Sequence, residues 1–203
     1  MYSMKKYCLL FCLLLIAACS KRLEIAVEDT QLKNLEKDIV TSSIDTFPSS
    51  AGVDNFAKNT IGLCIDQDNA FGCQCVDLMH FYIDLVLGVP RSSHNIRGNA
   101  LPLYNSLPKS KIINHGARVV RLEKIPYKAG NLPIKGDIIF YSHADGIGHV
   151  GIFLEGDSNF FTGLDQNWIN TDLSKGSPAA VVEHRYIDQY TVVGWLRPVL
   201  VSN

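Results

Sequence analysis

Three cysteines, Cys64, Cys73 and Cys75, lie beyond the first 19 residues of this 203-residue chain, where Cys8, Cys12 and Cys19 also occur. An odd set leaves at least one unpaired thiol, a reason to ask about chemistry. Cys75 opens a segment, 75–87, in which Val76, Met79, Ile83 and Leu87 recur at spacings of three and four. That spacing predicts a helix with one apolar face, stopped by Gly88 and Pro90. A thiol in the first turn of a helix sits at the positive end of the peptide dipoles, where a thiolate is stabilised. The unsatisfied N–H groups of the same turn can bind an oxyanion. A nucleophilic thiol also needs a base, and nothing local supplies one. The candidate is His149, in a strand-like run 149–154. His143 is its natural competitor but lies in a turn with Asp145 and Gly146. His80, His94, His115 and His184 fit no motif and are expected to be structural or exposed. The bland alternatives are inert packing for a lone buried cysteine and a hydrogen-bonded strand histidine with no further role.

The elements that must position these groups are readable in outline. Lys5 and Lys6 precede an apolar run, 7–18, which ends in Ala17-Ala18-Cys19. This is the layout of an export signal, and its length falls short of the roughly 20 residues that a membrane-spanning helix requires. Residues 19–50 are polar and weakly patterned, the composition of a tether, which leaves 51–203 as the folded domain. There, 54–61 predicts a short helix, 75–87 the main helix and 100–106 another short one. Residues 91–130 read otherwise as loop. Short runs rich in Val, Ile, Phe or Tyr follow at 136–142, 149–154, 159–163, 179–184 and 191–197, and read as strands. Helices first and an antiparallel sheet afterwards is an α+β pattern. Apolar residues make up 47% of the chain, and 19 Lys and Arg balance 20 Asp and Glu. That balance argues against a nucleic-acid partner.

Four segments, taken in order, resemble one family. Gly72-Cys73-Gln74-Cys75-Val76-Asp77-Leu78 is similar to the nucleophile motif of the CHAP domains, the cysteine, histidine-dependent amidohydrolases/peptidases of the papain-like, NlpC-type superfamily. Gly136-Asp137-Ile138-Ile139-Phe140, Gly148-His149-Val150-Gly151-Ile152-Phe153 and Asp165-Gln166-Asn167-Trp168 resemble its later segments, and the likeness spans about 54–197. The resemblance implies Cys75 as nucleophile and His149 as base. It implies Asp165 or Asn167 as the group that orients the imidazole, and Gln74 as a contributor to the oxyanion site. Asp66-Gln67-Asp68 resembles a calcium loop found in some CHAP enzymes. Asp66, Asp68 and Asp77 would be the carboxylate ligands and Ala70 and Gly72 carbonyl donors. A plain polar turn is the rival reading. Cys64 and Cys73 bracket this loop. In an oxidising compartment they are candidates for a disulfide, with two free thiols or a Cys73–Cys75 pair as alternatives. Trp168, Phe160 and Phe161 are candidates for a substrate groove, or for core.

The fold this implies is a papain-like α+β CHAP domain, its nucleophile helix packed on a five- to six-stranded antiparallel sheet. The implied activity is hydrolysis of amide bonds in peptidoglycan through an acyl-enzyme, by an N-acetylmuramoyl-L-alanine amidase or an endopeptidase. No cofactor is required for that chemistry. The alternatives are an inactive wall-binding module and a secreted lysin or toxin of the same fold. Ile16-Ala17-Ala18-Cys19 looks like a lipobox. It implies palmitate-type lipidation of Cys19 and a membrane anchor, at the outer membrane facing the periplasm if the host is Gram-negative.

Overall fold

The computed structural model describes residues 47–168 and 175–201. The expected export signal, Cys19 and nearly all of the tether lie outside the described residues.

Helix α1 (Ser50–Thr60) starts four residues before the apolar pattern predicts, because Ser49 caps it: its side chain accepts from the Gly52 N–H at 3.0 Å. Such a cap satisfies one of the orphan donors of the first turn. Helix α2 (Cys75–Leu85) is followed by a 3-10 turn (Arg91–Ser93) and helix α3 (Ala100–Ser106). The strands are β1 (Ser110–His115), β2 (Arg118–Pro126), β3 (Ile138–Ser142), β4 (His149–Gly156), β5 (Phe160–Asp165), β6 (Ala180–Arg185) and β7 (Thr191–Leu200). They form one antiparallel sheet in the order β1-β2-β7-β3-β4-β5-β6.

The sheet therefore has seven strands, not five or six. The difference is the β1–β2 hairpin, inside a segment read as loop. Its turn is Gly116-Ala117, with His115 paired to Arg118 and Gly116 at φ 56°, the backbone conformation that glycine supplies at the first position of a two-residue hairpin turn. Only Ile113 of β1 is buried. The strand is an edge, and its Lys and Asn side chains blur the alternation that marks a strand while discouraging edge pairing.

Helix α2 is buried over most of its surface. Leu78, Met79, Tyr82 and Ile83 are at most 1% exposed, because α2 packs on β4 of the sheet and also meets α1. Phe56 of α1 meets Phe81 and Tyr82 with ring centroids 5.8 and 5.3 Å apart. The Tyr82 hydroxyl donates to the Gly136 carbonyl at 2.9 Å. Gly136 has φ 90°, and a Cβ there would stand 2.7 Å from Pro48 and 2.8 Å from the Tyr82 oxygen, so this corner accepts only glycine. Beside it, buried Asp137 accepts from Arg197 Nη2 at 2.7 Å, tying β3 to β7. Along β3, Phe140 packs against Tyr104 of α3. The alternate residues Ile139 and Tyr141 join Phe153, Phe161, Tyr186, Val192 and Trp195 in a second cluster, as the two-residue period of a strand requires.

Candidate active site

Cys75 is the first residue of α2 and is 9% exposed. It is the only free cysteine among the described residues. Gln74, at the cap position, is extended (φ −93°, ψ 154°), and its N–H donates to Asp77 Oδ2 at 3.3 Å. A carboxylate in the first turn complements the helix dipole.

The chain entering Cys75 is held from three sides. Cys64 and Cys73 are joined as a disulfide. The Cys73 N–H donates to the Lys175 carbonyl at 3.0 Å. Gly72, at φ 67°, lies so close to the Lys175 backbone that no side chain fits. Gln166, a residue of the Asp165-Gln166-Asn167-Trp168 segment to which the sequence alone assigns no role, adds the third restraint. Its side chain accepts from the Ile65 N–H at 2.9 Å and donates to the Ile65 and Gln74 carbonyls at 2.7 and 2.8 Å. A cross-link closing a loop this short is worth about 2–3 kcal/mol. Cys64→Ser is therefore expected to lower unfolding stability by that amount in a denaturant titration.

His149 is 3% exposed. Its Nε2 meets Asp165 Oδ1 at 2.9 Å, which leaves Nδ1 to face Cys75. Burial alone would lower the imidazole pKa. The charge of Cys75, the hydrogen bond to Asp165 and the hydrogen bond to Cys75 outweigh it and raise the ring to about 10. Asp165 is 1% exposed. Burial pushes its carboxyl up, and hydrogen bonds from His149 and His184 overcome that and hold it below its usual value. Aromatic rings enclose the pair: Trp168 and Tyr190 stand edge-on to His149 at 4.9 and 5.9 Å, and Tyr141 lies at 5.7 Å.

Asp165 and Asn167, alternatives in the sequence, go to different partners. Asn167, at φ 62°, donates from Nδ2 to Gln74 Oε1 at 2.9 Å. Gln74 in turn donates from Nε2 to the Phe71 carbonyl, and the second hydrogen on Nε2 remains for a ligand. Of the aromatic candidates, Trp168 joins the site, Phe161 is core at 1% exposure, and Phe160 is exposed beneath Arg185.

The other histidines separate as follows. His143 pairs with Asp145 at 3.1 Å and stacks on Tyr190. His80 and His94 stack on each other, and burial lowers them to about 3 and about 4. The Ser93 hydroxyl meets His115 at 3.0 Å. Of the two readings open for His184, structural or exposed, the structure gives the buried one: its Nε2 meets Asp165 Oδ2 at 2.8 Å. No motif pointed to it. The available signal was two glycines, Gly151 and Gly163. A Cβ on the first would collide with Asp165 Oδ1, and one on the second would stand 2.7 Å from Oδ2.

One carboxylate oxygen from each of Asp66, Asp68 and Asp77 lies within 4.8 Å of the others. Both Asp66 and Asp68 accept from the Ala70 N–H. Arg91 reaches Asp68 at 2.9 Å and Asp77 at 3.6 Å. Asp77 is 1% exposed, and its Oδ1 has no hydrogen-bond partner. Burial, with Asp68 adding repulsion, raises Asp77 to about 6.

A buried thiol at a helix start, an imidazole oriented by a carboxylate and free helical N–H groups together are competent for nucleophilic attack on a carbonyl. No family model matches the chain. Among solved structures, the chain is similar to the crystal structure of a wild type endolysin, LysIME-EF1, at 27% identity and a TM-score of 0.58. The match covers 74% of this chain, which spans 64% of the length of that endolysin chain, and the mixed helix-and-sheet architecture is common to both.

Proposed function

We propose that this protein is a peptidoglycan hydrolase that cleaves amide bonds through an acyl-enzyme on Cys75, as amidases and peptidoglycan endopeptidases do. The observation that carries the reading is the Cys75–His149–Asp165 array at the start of α2. The wall as substrate is supported by the likeness to an endolysin, an enzyme class that degrades peptidoglycan. Purified protein incubated with isolated sacculi is expected to release soluble fragments. Sacculi left intact after prolonged incubation would refute the proposal.

In this mechanism His149 Nδ1 holds the proton of Cys75. The thiolate attacks the amide carbon, and the carbonyl electron pair moves to oxygen. N–H groups of the first turn of α2 and the remaining N–H of Gln74 Nε2 stabilise that oxyanion. The oxyanion collapses, the C–N bond breaks and His149 gives its proton to the leaving amine, which leaves a thioester on Cys75. His149 then takes a proton from water, the hydroxide attacks the thioester, and the acid departs as the thiolate–imidazolium pair re-forms.

Calcium is the proposed structural ion. The donor set fits: hard carboxylate oxygens suit this cation, and the buried Asp77 Oδ1 has no hydrogen-bond partner, with only the Arg91 guanidinium nearby at 3.6 Å. Asp66, Asp68 and Asp77 would hold it, with the Ala70 and Gly72 carbonyls. When bound, it supplies positive charge beside the loop that leads to Cys75. Arg91 shares the same oxygens and competes with it. Calcium at about 100 times its Kd is expected to stabilise the fold by about 2.7 kcal/mol. The check is a melting curve with calcium and with chelator. Asp68→Ala is expected to remove the difference, and identical curves for the unaltered protein would end the assignment.

Export and lipidation at Cys19 complete the proposal, with peptidoglycan and the membrane as partners. No helix among the described residues is long and apolar enough to cross a membrane.

A further inference from the structure

Asp165 has two carboxylate oxygens, and the catalytic reading uses one. The terminal torsion of an aspartate is broad, so a carboxylate held at one oxygen can turn and carry that oxygen off its partner. Packing does not prevent this on two sides, because Gly151 and Gly163 present no side chain to it. The second oxygen is instead held by His184 Nε2 at 2.8 Å, and the His184 side chain is 2% exposed. His184 is itself fixed by rings: Phe161 stacks on it at 5.0 Å, Trp168 stands edge-on at 4.5 Å and Tyr141 lies at 5.1 Å.

We propose that His184 is a positioning residue, which locks the Asp165 carboxylate from behind and so sets the angle at which His149 faces Cys75. The titratable groups around this cluster are Cys75 on α2, Tyr141 on β3, His149 on β4, Asp165 on β5, His184 on β6 and Tyr190 before β7. Burial raises both tyrosines, so they stay neutral. One carboxylate then serves two imidazoles, and its charge matches the imidazolium of His149. In this arrangement His184 donates the proton on its Nε2 to Asp165 Oδ2. The inference rests on the catalytic reading of Cys75 and His149.

The test has an arm without turnover. In full-length protein labelled with 15N-histidine, long-range proton–nitrogen spectra at neutral pH are expected to show His184 protonated on Nε2. A bare Nε2 would overturn the inference. In the kinetic arm, His184→Leu is expected to lower the saturated rate on sacculi by on the order of 10- to 100-fold and to change the half-saturating concentration by less than about twofold, because a misaligned base slows chemistry rather than binding. His184→Gln, whose amide can donate from a similar place, is expected to recover part of that rate. An unchanged rate in His184→Leu, or no recovery in a folded His184→Gln, would overturn it. If the unaltered protein leaves sacculi intact, the proposed function fails, and the spectra still decide whether His184 holds Asp165.

Discussion

Cys75→Ala is expected to abolish release of soluble fragments from sacculi, with a rate loss of at least about four orders of magnitude. No other thiol among the described residues is free, so nothing takes over the attack. The fold should survive, since removing one sulfur at the end of a helix leaves untouched the packing that α2 makes through Tyr82 and Ile83. The same substitution carries a second consequence. His149 titrates near 10 chiefly because the charge of Cys75 and the bonds to Asp165 and Cys75 overcome its burial. A folded-state pKa above the ordinary 6.5 contributes stability that is fully present below pH 6.5 and is lost as pH rises through about 10. Without the sulfur that raised value falls, and the loss of stability between pH 6.5 and 10 shrinks. Denaturant melts of the two proteins at several pH values measure it; equal pH dependence would mean that Cys75 does not charge His149.

Asp165→Ala is expected to cost both stability and rate. The substitution leaves His149 and His184 buried with no acceptor for either Nε2. Removing one partner of a buried charged pair costs about 3–5 kcal/mol, measurable as a shift in denaturant midpoint. The rate should fall by on the order of 10²- to 10⁴-fold, because the ring loses the bond that fixes its tautomer and orientation. Asp165→Asn sharpens the comparison. It keeps the volume but turns an N–H toward one imidazole, so stability should recover more than activity. Asn167→Ala, by contrast, removes a contact to Gln74 rather than to His149 and should cost far less rate than Asp165→Ala.

What could be read from the sequence follows the range of the interactions involved. The start of α2 at Cys75, its stop before Gly88 and the strands around His149 and Asp165 arise from periods of 3.6 and 2 and from local turn residues. The β1–β2 hairpin escaped because its edge strand buries only Ile113, so the alternating pattern was never strong. The second oxygen of Asp165 was out of reach for another reason. Its bond to His184 depends on the β5–β6 register, Phe161 opposite His184, and on two glycines that clear the way. No spacing along the chain encodes such a contact. Asn167 and Gln166 show the same limit. Both lie inside a recognisable segment, yet only the folded chain shows that they restrain Gln74 and the loop before Cys75 rather than the imidazole.

The bond that is broken tests the chemistry of Cys75 most directly. Isolated sacculi digested by the protein in ¹⁸O-water, with products read by mass spectrometry, provide the measurement. Release of an acyl group from Cys75 by water predicts soluble fragments that carry a new free amine and a new carboxylate with one heavy oxygen. Heavy oxygen on the reducing end of a sugar, with every peptide amide intact, would contradict it.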